Sequence, residues 1–397
     1  MTPFLQAHAT HPDWRLALAM VQPQLDAQRR ERGPGWTPTL GWVYLTDHYA
    51  AQAEALLAEL QRRWPGVAWV GSVGVGVAAS GVEYFDEPAL SLMVSDLPPA
   101  DWRVFSGTRP LAGFAAHSAL VHADPSTPEL AELVADMSHK TASGYLFGGL
   151  ASSRQRTLTI ADAVLQGGLS GVAFGAGVAL VSRVTQGCTP VGPRRRVTAA
   201  QRNIVLQLDG APALDCLLDD LGLAGRDPRE ALPQIRRTLV GLSDPADGAD
   251  GVLRPGAFGP DTRVRHLVGL DPSNGGIAIA EAAEAGQQLA FCQRHTEAAR
   301  RDLVRICAEI REELAPAHEP AFAQGGAEPP AATMLGAVYV SCAGRGGPHF
   351  GAPSAELQIV RRALGEVPLV GYFAGGEIAR HHLYGYTGVL TVFASGH

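Results

Sequence analysis

Two short stretches near the C-terminus carry residue types that could hold a small molecule. One is Cys342-Ala343-Gly344-Arg345-Gly346, which opens a longer loop, Cys342–Gly351; the other is the turn Gly375-Gly376-Glu377. Glycines let backbone N–H groups come close to an anion, and a guanidinium offers a two-pronged fork for a carboxylate or phosphate. An arginine and a glutamate facing one another across a pocket suit a zwitterion, with its carboxylate on Arg345 and its amine on Glu377. The competing reading is a buried Arg345–Glu377 ion pair that merely fixes two loops, although such pairs are weak stability devices. Cys342 is a potential nucleophile if a base lowers its thiol pKa, and His349 is the nearest imidazole in sequence. An inert core thiol is the commoner fate of a free cysteine. His349, His381 and His382 are candidate ligands for haem iron or zinc. Adjacent histidines in a strand point to opposite faces, so at most one of His381 and His382 would enter a site. No C-x-x-C-H attachment is present, so any haem would be non-covalent. Nor is there a G-x-S-x-G elbow, a P-loop or an H-E-x-x-H helix, and the chain is read as a binding protein without a catalytic motif.

Both candidate loops follow apolar strand runs, and the same plan occurs near the N-terminus. Leu40-Gly41-Trp42-Val43-Tyr44-Leu45-Thr46 resembles Leu335-Gly336-Ala337-Val338-Tyr339-Val340-Ser341. A helical stretch follows in each, Tyr49–Arg63 and Ala355–Leu364. Pro65-Gly66-Val67-Ala68-Trp69-Val70-Gly71 then matches Val367-Pro368-Leu369-Val370-Gly371, glycines come next, and each copy closes on an apolar strand. Residues 38–97 and the C-terminal 65 residues thus read as a β-α-β-β unit used twice. The expected fold is α+β, with two mixed sheets, one per duplicated half, packed together and helices on their outer faces. The later copy carries polar groups after both its first and second strands, whereas the earlier one has only Asp47-His48 after the first and small or apolar residues after the second, which places the site in the C-terminal half. The two loops would then converge at one sheet end, where ligand sites of α/β sheets form.

Composition sets the outer limits. A formal charge of −7 and a pI near 6.0 argue against a nucleic-acid partner, which needs a basic footprint. The longest apolar run, Gly167–Val181, is broken by glycines and falls short of a membrane span. No signal peptide is readable in Met1-Thr2-Pro3-Phe4-Leu5-Gln6. The five cysteines at 188, 216, 292, 307 and 342 form no C-x-x-C pair, so reduced thiols and a cytoplasmic location are expected.

Three regions are expected: an N-terminal helical segment (residues 1–34), a first domain (35–243) and a second (244–397). In the first segment Trp14, Ala17, Leu18, Val21 and Leu25 share one helix face. Helix-start chemistry appears at Ser126-Thr127-Pro128-Glu129, and strands are expected across the glycine-dense stretch from Tyr145 to Leu208. A helix is expected at Thr296–Leu314. Asp244–Gly259 and Ala315–Ala332 read as connecting loops.

Several motifs occur in an order that resembles a known family. Gly148-Gly149-Leu150-Ala151, Gly187-Cys188-Thr189-Pro190-Val191-Gly192 and Leu208-Asp209-Gly210-Ala211-Pro212-Ala213 resemble the FIST N-terminal domain. Cys342-Ala343-Gly344-Arg345-Gly346, Gly371-Tyr372-Phe373-Ala374-Gly375-Gly376-Glu377-Ile378 and Gly385-Tyr386-Thr387 resemble its C-terminal partner. The resemblance spans roughly residues 35–395. It implies a stand-alone sensory protein that binds a small ligand, amino acids having been proposed, and signals through a protein partner such as a histidine kinase. Some family members are haem-binding nitric oxide sensors, which makes haem an alternative cofactor; a Cys342-dependent enzyme is a second alternative.

Overall fold

The computed structural model describes residues 3–33, 35–226, 228–244, 262–315 and 332–395. The connecting loops expected at Asp244–Gly259 and Ala315–Ala332 fall at 245–259 and 316–331 outside the described residues. The chain forms two compact units, residues 1–185 with 303–397, and residues 186–302 inserted between them.

The first unit begins with β1 (Phe4–Thr10), which the sequence did not disclose, and α1 (Trp14–Arg32). Asp13 caps α1 by accepting from Arg15 N–H, and its buried face is Trp14, Ala17, Leu18, Val21 and Leu25, as the periodicity predicts. Next come β2 (Leu40–Thr46), α2 (Ala53–Arg63), β3 (Ala68–Gly74), the hairpin β4 (Gly76–Ala79) and β5 (Val82–Phe85), and β6 (Ala89–Ser95). A second round follows: β7 (Trp102–Ser106), β8 (Ser118–Ala123), α3 (Leu130–His139), β9 (Tyr145–Leu150), the hairpin β10 (Thr159–Ala161) and β11 (Val164–Leu165), and β12 (Leu169–Phe174). β13 (Ala179–Gln186) leads into the inserted unit. That unit holds β14 (Cys188–Pro190), β15 (Arg195–Gln201), β16 (Ile204–Leu208), β17 (Ala211–Pro212), α4 (Ala213–Asp220), α5 (Pro228–Arg237), β18 (Leu239–Ser243), β19 (Arg263–Asp271), β20 (Gly276–Ile279) and β21 (Gln288–Arg294). Along α6 (Thr296–Leu314) the chain returns for a third round: β22 (Met334–Cys342), α7 (Ala355–Leu364), β23 (Leu369–Ala374), the hairpin β24 (Glu377–Ala379) and β25 (His382–Tyr384), and β26 (Thr387–Ala394).

The fold is mixed α and β, as expected, but the described residues form four sheets rather than two. Three are six-stranded and lie in the first unit; the fourth, of β14 to β21, belongs to the insertion. The domain boundary expected at 243/244 falls inside that insertion, between the last residue of β18 and Asp244. In each of the three sheets the first and second strands of a round run parallel: β2 with β3, β8 with β9, β22 with β23. The closing strand lies antiparallel beside the first. The hairpin does not stay with its own strands. The β4–β5 hairpin pairs with β23, the β10–β11 hairpin with β3, and the β24–β25 hairpin with β9. The two stretches matched by sequence are therefore two of three rounds sharing one order of elements, and the sheets exchange hairpins in a cycle.

Glycine fixes the register between rounds. A methyl on Gly71 would overlap the Val43 carbonyl oxygen, on Gly148 that of Val121, and on Gly371 that of Tyr339. Val43, Val121 and Tyr339 are thus equivalent, and so are Tyr44, His122 and Val340. Matching Tyr44 to Tyr339, as the apolar runs suggest, is off by one residue, which in a strand swaps the faces. Tyr44 lies in the central core with Trp42 and Val340, whereas Tyr339 turns to α7 and donates to Glu356.

Gly71→Ala and Gly371→Ala are expected to lower stability by about 3 kcal/mol each, because a backbone carbonyl cannot retreat as a side chain can. Gly375→Ala, whose new methyl would meet its nearest neighbour at an ordinary 3.5 Å, is expected to cost under about 1 kcal/mol. Urea titration followed by tryptophan fluorescence distinguishes the two classes.

Candidate functional site

The loop after β22 and the turn after β23 stand at the carboxyl ends of two paired parallel strands, so they do lie side by side. Cys342 is in register with Ala374, and Ala343 N–H donates to the Ala374 carbonyl at 2.8 Å. Arg345 and Gly346 both return N–H bonds to the Cys342 carbonyl, at 2.7 and 3.3 Å, which curls the loop back under itself. The curl carries the Arg345 side chain inward, where it is 1% exposed.

Its ion-pair partner is Glu356, in the first turn of α7, and not Glu377. Arg345 Nε donates to Glu356 Oε1 at 3.2 Å and Nη1 to the Thr185 carbonyl at 3.2 Å, with the guanidinium 5.4 Å from the Phe350 ring. Glu356 is fully buried and also accepts from the Tyr339 hydroxyl at 2.6 Å and Ser341 Oγ at 3.0 Å. A buried carboxylate with that many donors is satisfied. Sequence reasoning did not single it out; the signal was a glutamate at the start of a helix whose other apolar residues face inward.

Glu377 is fully buried as well, for a different reason. It begins β24, the strand given to β9, and its Oε2 accepts from Thr387 N–H at 3.1 Å and Thr387 Oγ1 at 2.7 Å. Its Oε1 takes part in no hydrogen bond among the described residues. Burial pushes its pKa up to about 8, against the downward pull of the Thr387 bonds, the Arg345 charge and the Cys342 thiol. Burial likewise pushes the Cys342 thiol up to about 12, helped by the Glu377 charge, although the N–H groups of Gly344 and Tyr386 favour the thiolate. A thiol held protonated at neutral pH is not an activated nucleophile.

A further acid arrives from the first round. Glu83, on β5, accepts through Oε1 from the N–H groups of Glu356 (2.9 Å) and Leu357 (3.1 Å) and through Oε2 from Gly347 N–H (3.3 Å). It caps α7, and Ser354 Oγ returns the favour by accepting from Glu83 N–H at 3.0 Å. Burial, then the Glu356 charge, raises its pKa to about 7.

The glycines expected to cradle a ligand touch protein instead. Gly346 lies under the Phe373 and Phe85 rings, Gly376 against Leu150 and the Tyr384 carbonyl, and Gly344 against the Tyr386 ring. Gly375 N–H donates to the Leu150 carbonyl at 3.0 Å. Gly344 and Tyr386 nevertheless remain partly open to solvent beside Cys342, and Gly375, two residues before Glu377, is exposed.

The histidines lie elsewhere. His349 stands against the Phe350 ring in the loop. His381 occupies the turn of the β24–β25 hairpin rather than a strand, so its ring lies 3.9 Å from that of His382 instead of on the opposite face. None of these three histidines lines the 470 Å³ cavity found in this unit.

Models of known domains match almost all of this architecture: a FIST N domain at residues 39–211 and a FIST C domain at 213–380. The chain belongs to the FIST family. An uncharacterized protein of Mycobacterium tuberculosis is 31% identical over 406 residues, covering 97% of this chain and 98% of its own. Another, from Mycobacterium bovis, is 29% identical over 405 residues with 97% of each covered. FIST domains are in general sensory domains that bind small ligands in signalling. In this FIST protein no helix among the described residues is long and apolar enough to cross a membrane.

The acids give the FIST fold a pH signature. Glu377 and Glu83 hold protons that the unfolded chain has lost above its ordinary carboxylate range. Their contribution is therefore complete below about pH 4.5 and is lost as pH rises through 7 and 8. His122, pushed down to about 3 by burial, acts oppositely, since its contribution is lost as pH falls below about 6.5. For these three groups together stability should peak at about pH 4.5 and decline on the alkaline side. Glu377→Gln should flatten the alkaline arm without moving the acid arm, as read by urea midpoints from pH 4 to 9.

Proposed function

We propose that this chain is a FIST sensor that takes a small amine-bearing molecule, zwitterionic or cationic, at the rim of Gly344, Tyr386 and Gly375, and signals through a protein partner such as a histidine kinase. The observation that supports this reading is Glu377: a buried carboxyl beside the Cys342 thiol whose Oε1 has no hydrogen-bond partner among the described residues, near the partly open Gly344 and Tyr386. A buried polar atom without a partner is costly, and a donor supplied by a ligand relieves that cost. An amine reaching Oε1 would favour the ionised form of Glu377, so binding and deprotonation are coupled.

The residues marked from sequence keep a place in this reading with altered roles. Cys342 and Glu377 form the floor, Gly344 and Gly375 the rim, and Gly346 and Gly376 the close packing beneath it. Arg345 holds the loop through Glu356, so a ligand carboxylate reaches its guanidinium only by competing with that pair. The common plan of the three rounds also supports their descent from one ancestral β-α-β-hairpin-β unit.

The test is thermal denaturation in the presence of amino acids and simple primary amines. A compound at a hundredfold excess over its Kd should add about 2.7 kcal/mol, a shift of a few degrees. Glu377→Gln should abolish the shift; Arg345→Lys should weaken it by loosening the loop that Arg345 holds through Glu356 and the Thr185 carbonyl. Absence of any shift with amines overturns this reading, and a Soret band in protein purified from haem-supplied cells would replace it with the haem alternative.

A further inference from the structure

The first unit has a 470 Å³ cavity at the end of β9 away from Glu377. Its lining includes Ser118 and Tyr145 at the starts of β8 and β9, Phe147, Leu180 on β13, and Arg183 and Glu313 at one side. The size lies within the range of sites that bury drug-sized molecules.

Two features bear on what it would hold. Ser118 is 5% exposed and its hydroxyl has no hydrogen-bond partner among the described residues, so the cavity wall carries a buried polar group that a ligand could satisfy. The charges do not favour an anion. Arg183 is already engaged by Glu313 and by Glu309 Oε2 at 3.3 Å, and these three groups together leave one negative charge in excess. Val178, Leu180 and Phe147 supply the apolar body of the wall.

We propose that this cavity is a second ligand site, separate from the Glu377 rim, for a neutral or cationic amphiphile: an aromatic or aliphatic body against Phe147 and Leu180, with a hydroxyl or amine end on Ser118. An anion of the same shape is disfavoured by the Glu309–Arg183–Glu313 group.

Two fluorescent probes built on the same rings test it. N-phenyl-1-naphthylamine is neutral, and 8-anilino-1-naphthalenesulfonate adds a sulfonate. The neutral probe should bind saturably, one per chain, at least tenfold more tightly than the sulfonate. Leu180→Trp, which fills the cavity, should weaken the neutral probe at least tenfold, and Ser118→Ala should weaken it several-fold. Glu313→Gln, on a partly exposed residue, should narrow the preference between probes. Circular dichroism confirms that each variant is folded; if Leu180→Trp is not, Ser118→Ala and Glu313→Gln decide. Non-saturable fluorescence, or saturable binding unchanged in the folded cavity variants, overturns the site. Equal affinity for both probes overturns the charge selectivity. Glu377→Gln should leave probe binding unchanged, so a failure here is distinct from a failure at the rim.

Discussion

Each of the three sheets in the first unit has an inner strand with an edge that its own round does not cover. β3, β9 and β23 pair on one side with the first strand of their round; the other side would present a row of unpaired N–H and C=O groups. The solution is cyclic: each edge is covered by the hairpin of a different round. No round satisfies its backbone alone. The same exchange is why acids sit inside the protein. Glu83 comes to the start of α7 because the β4–β5 hairpin belongs to β23, and Glu377 is enclosed because it begins the strand that β9 requires.

Where the three rounds meet, size and polarity alternate. Tyr44 and Tyr372 stack with centroids 5.0 Å apart, and Tyr44 Oη lies 3.0 Å from His122 Nε2. The equivalent positions of the neighbouring strands carry Ser72, Gly149 and Val340, so every large ring faces room left by a smaller residue. A little further along, Ser152 N–H donates to the Val73 carbonyl and Gly375 N–H to that of Leu150. The third side of this triangle is bridged by the Ser152 hydroxyl, which accepts from Val75 N–H and donates to the Phe373 carbonyl. Gly375 therefore belongs to the frame as much as to any site.

Much of the local structure was legible. Helices α6 and α7 and strand β9 have the bounds that apolar periodicity gives, because each buries one defined face or lies wholly inside. The second round was missed as a round because β8 is a brief run, Ser118–Ala123; the helix after it was signalled at Ser126–Glu129 and begins at Leu130 beyond a left-handed Glu129. The one-residue error between Tyr44 and Tyr339 came from matching residue types; the decisive markers were the glycines on the partner strands, whose meaning depends on pairing. The site was half legible. Its loops are neighbours as expected, but Arg345 turns to Glu356, eleven residues on, and Glu83 reaches the same place from the other end of the chain. Which hairpin covers which edge is set by long-range fit, and no short stretch of sequence encodes it.

The exchange of hairpins also orders events on the ribosome. β4 and β5 are complete at residue 85, yet the strand they cover ends at residue 374. At ordinary elongation rates that is roughly 15 to 60 seconds of translation during which a finished hairpin has no edge to join. Meanwhile β9 waits for β24, which is made later still. The nascent chain must therefore hold two open seams until its last stretch emerges, and entry of that stretch closes both at once.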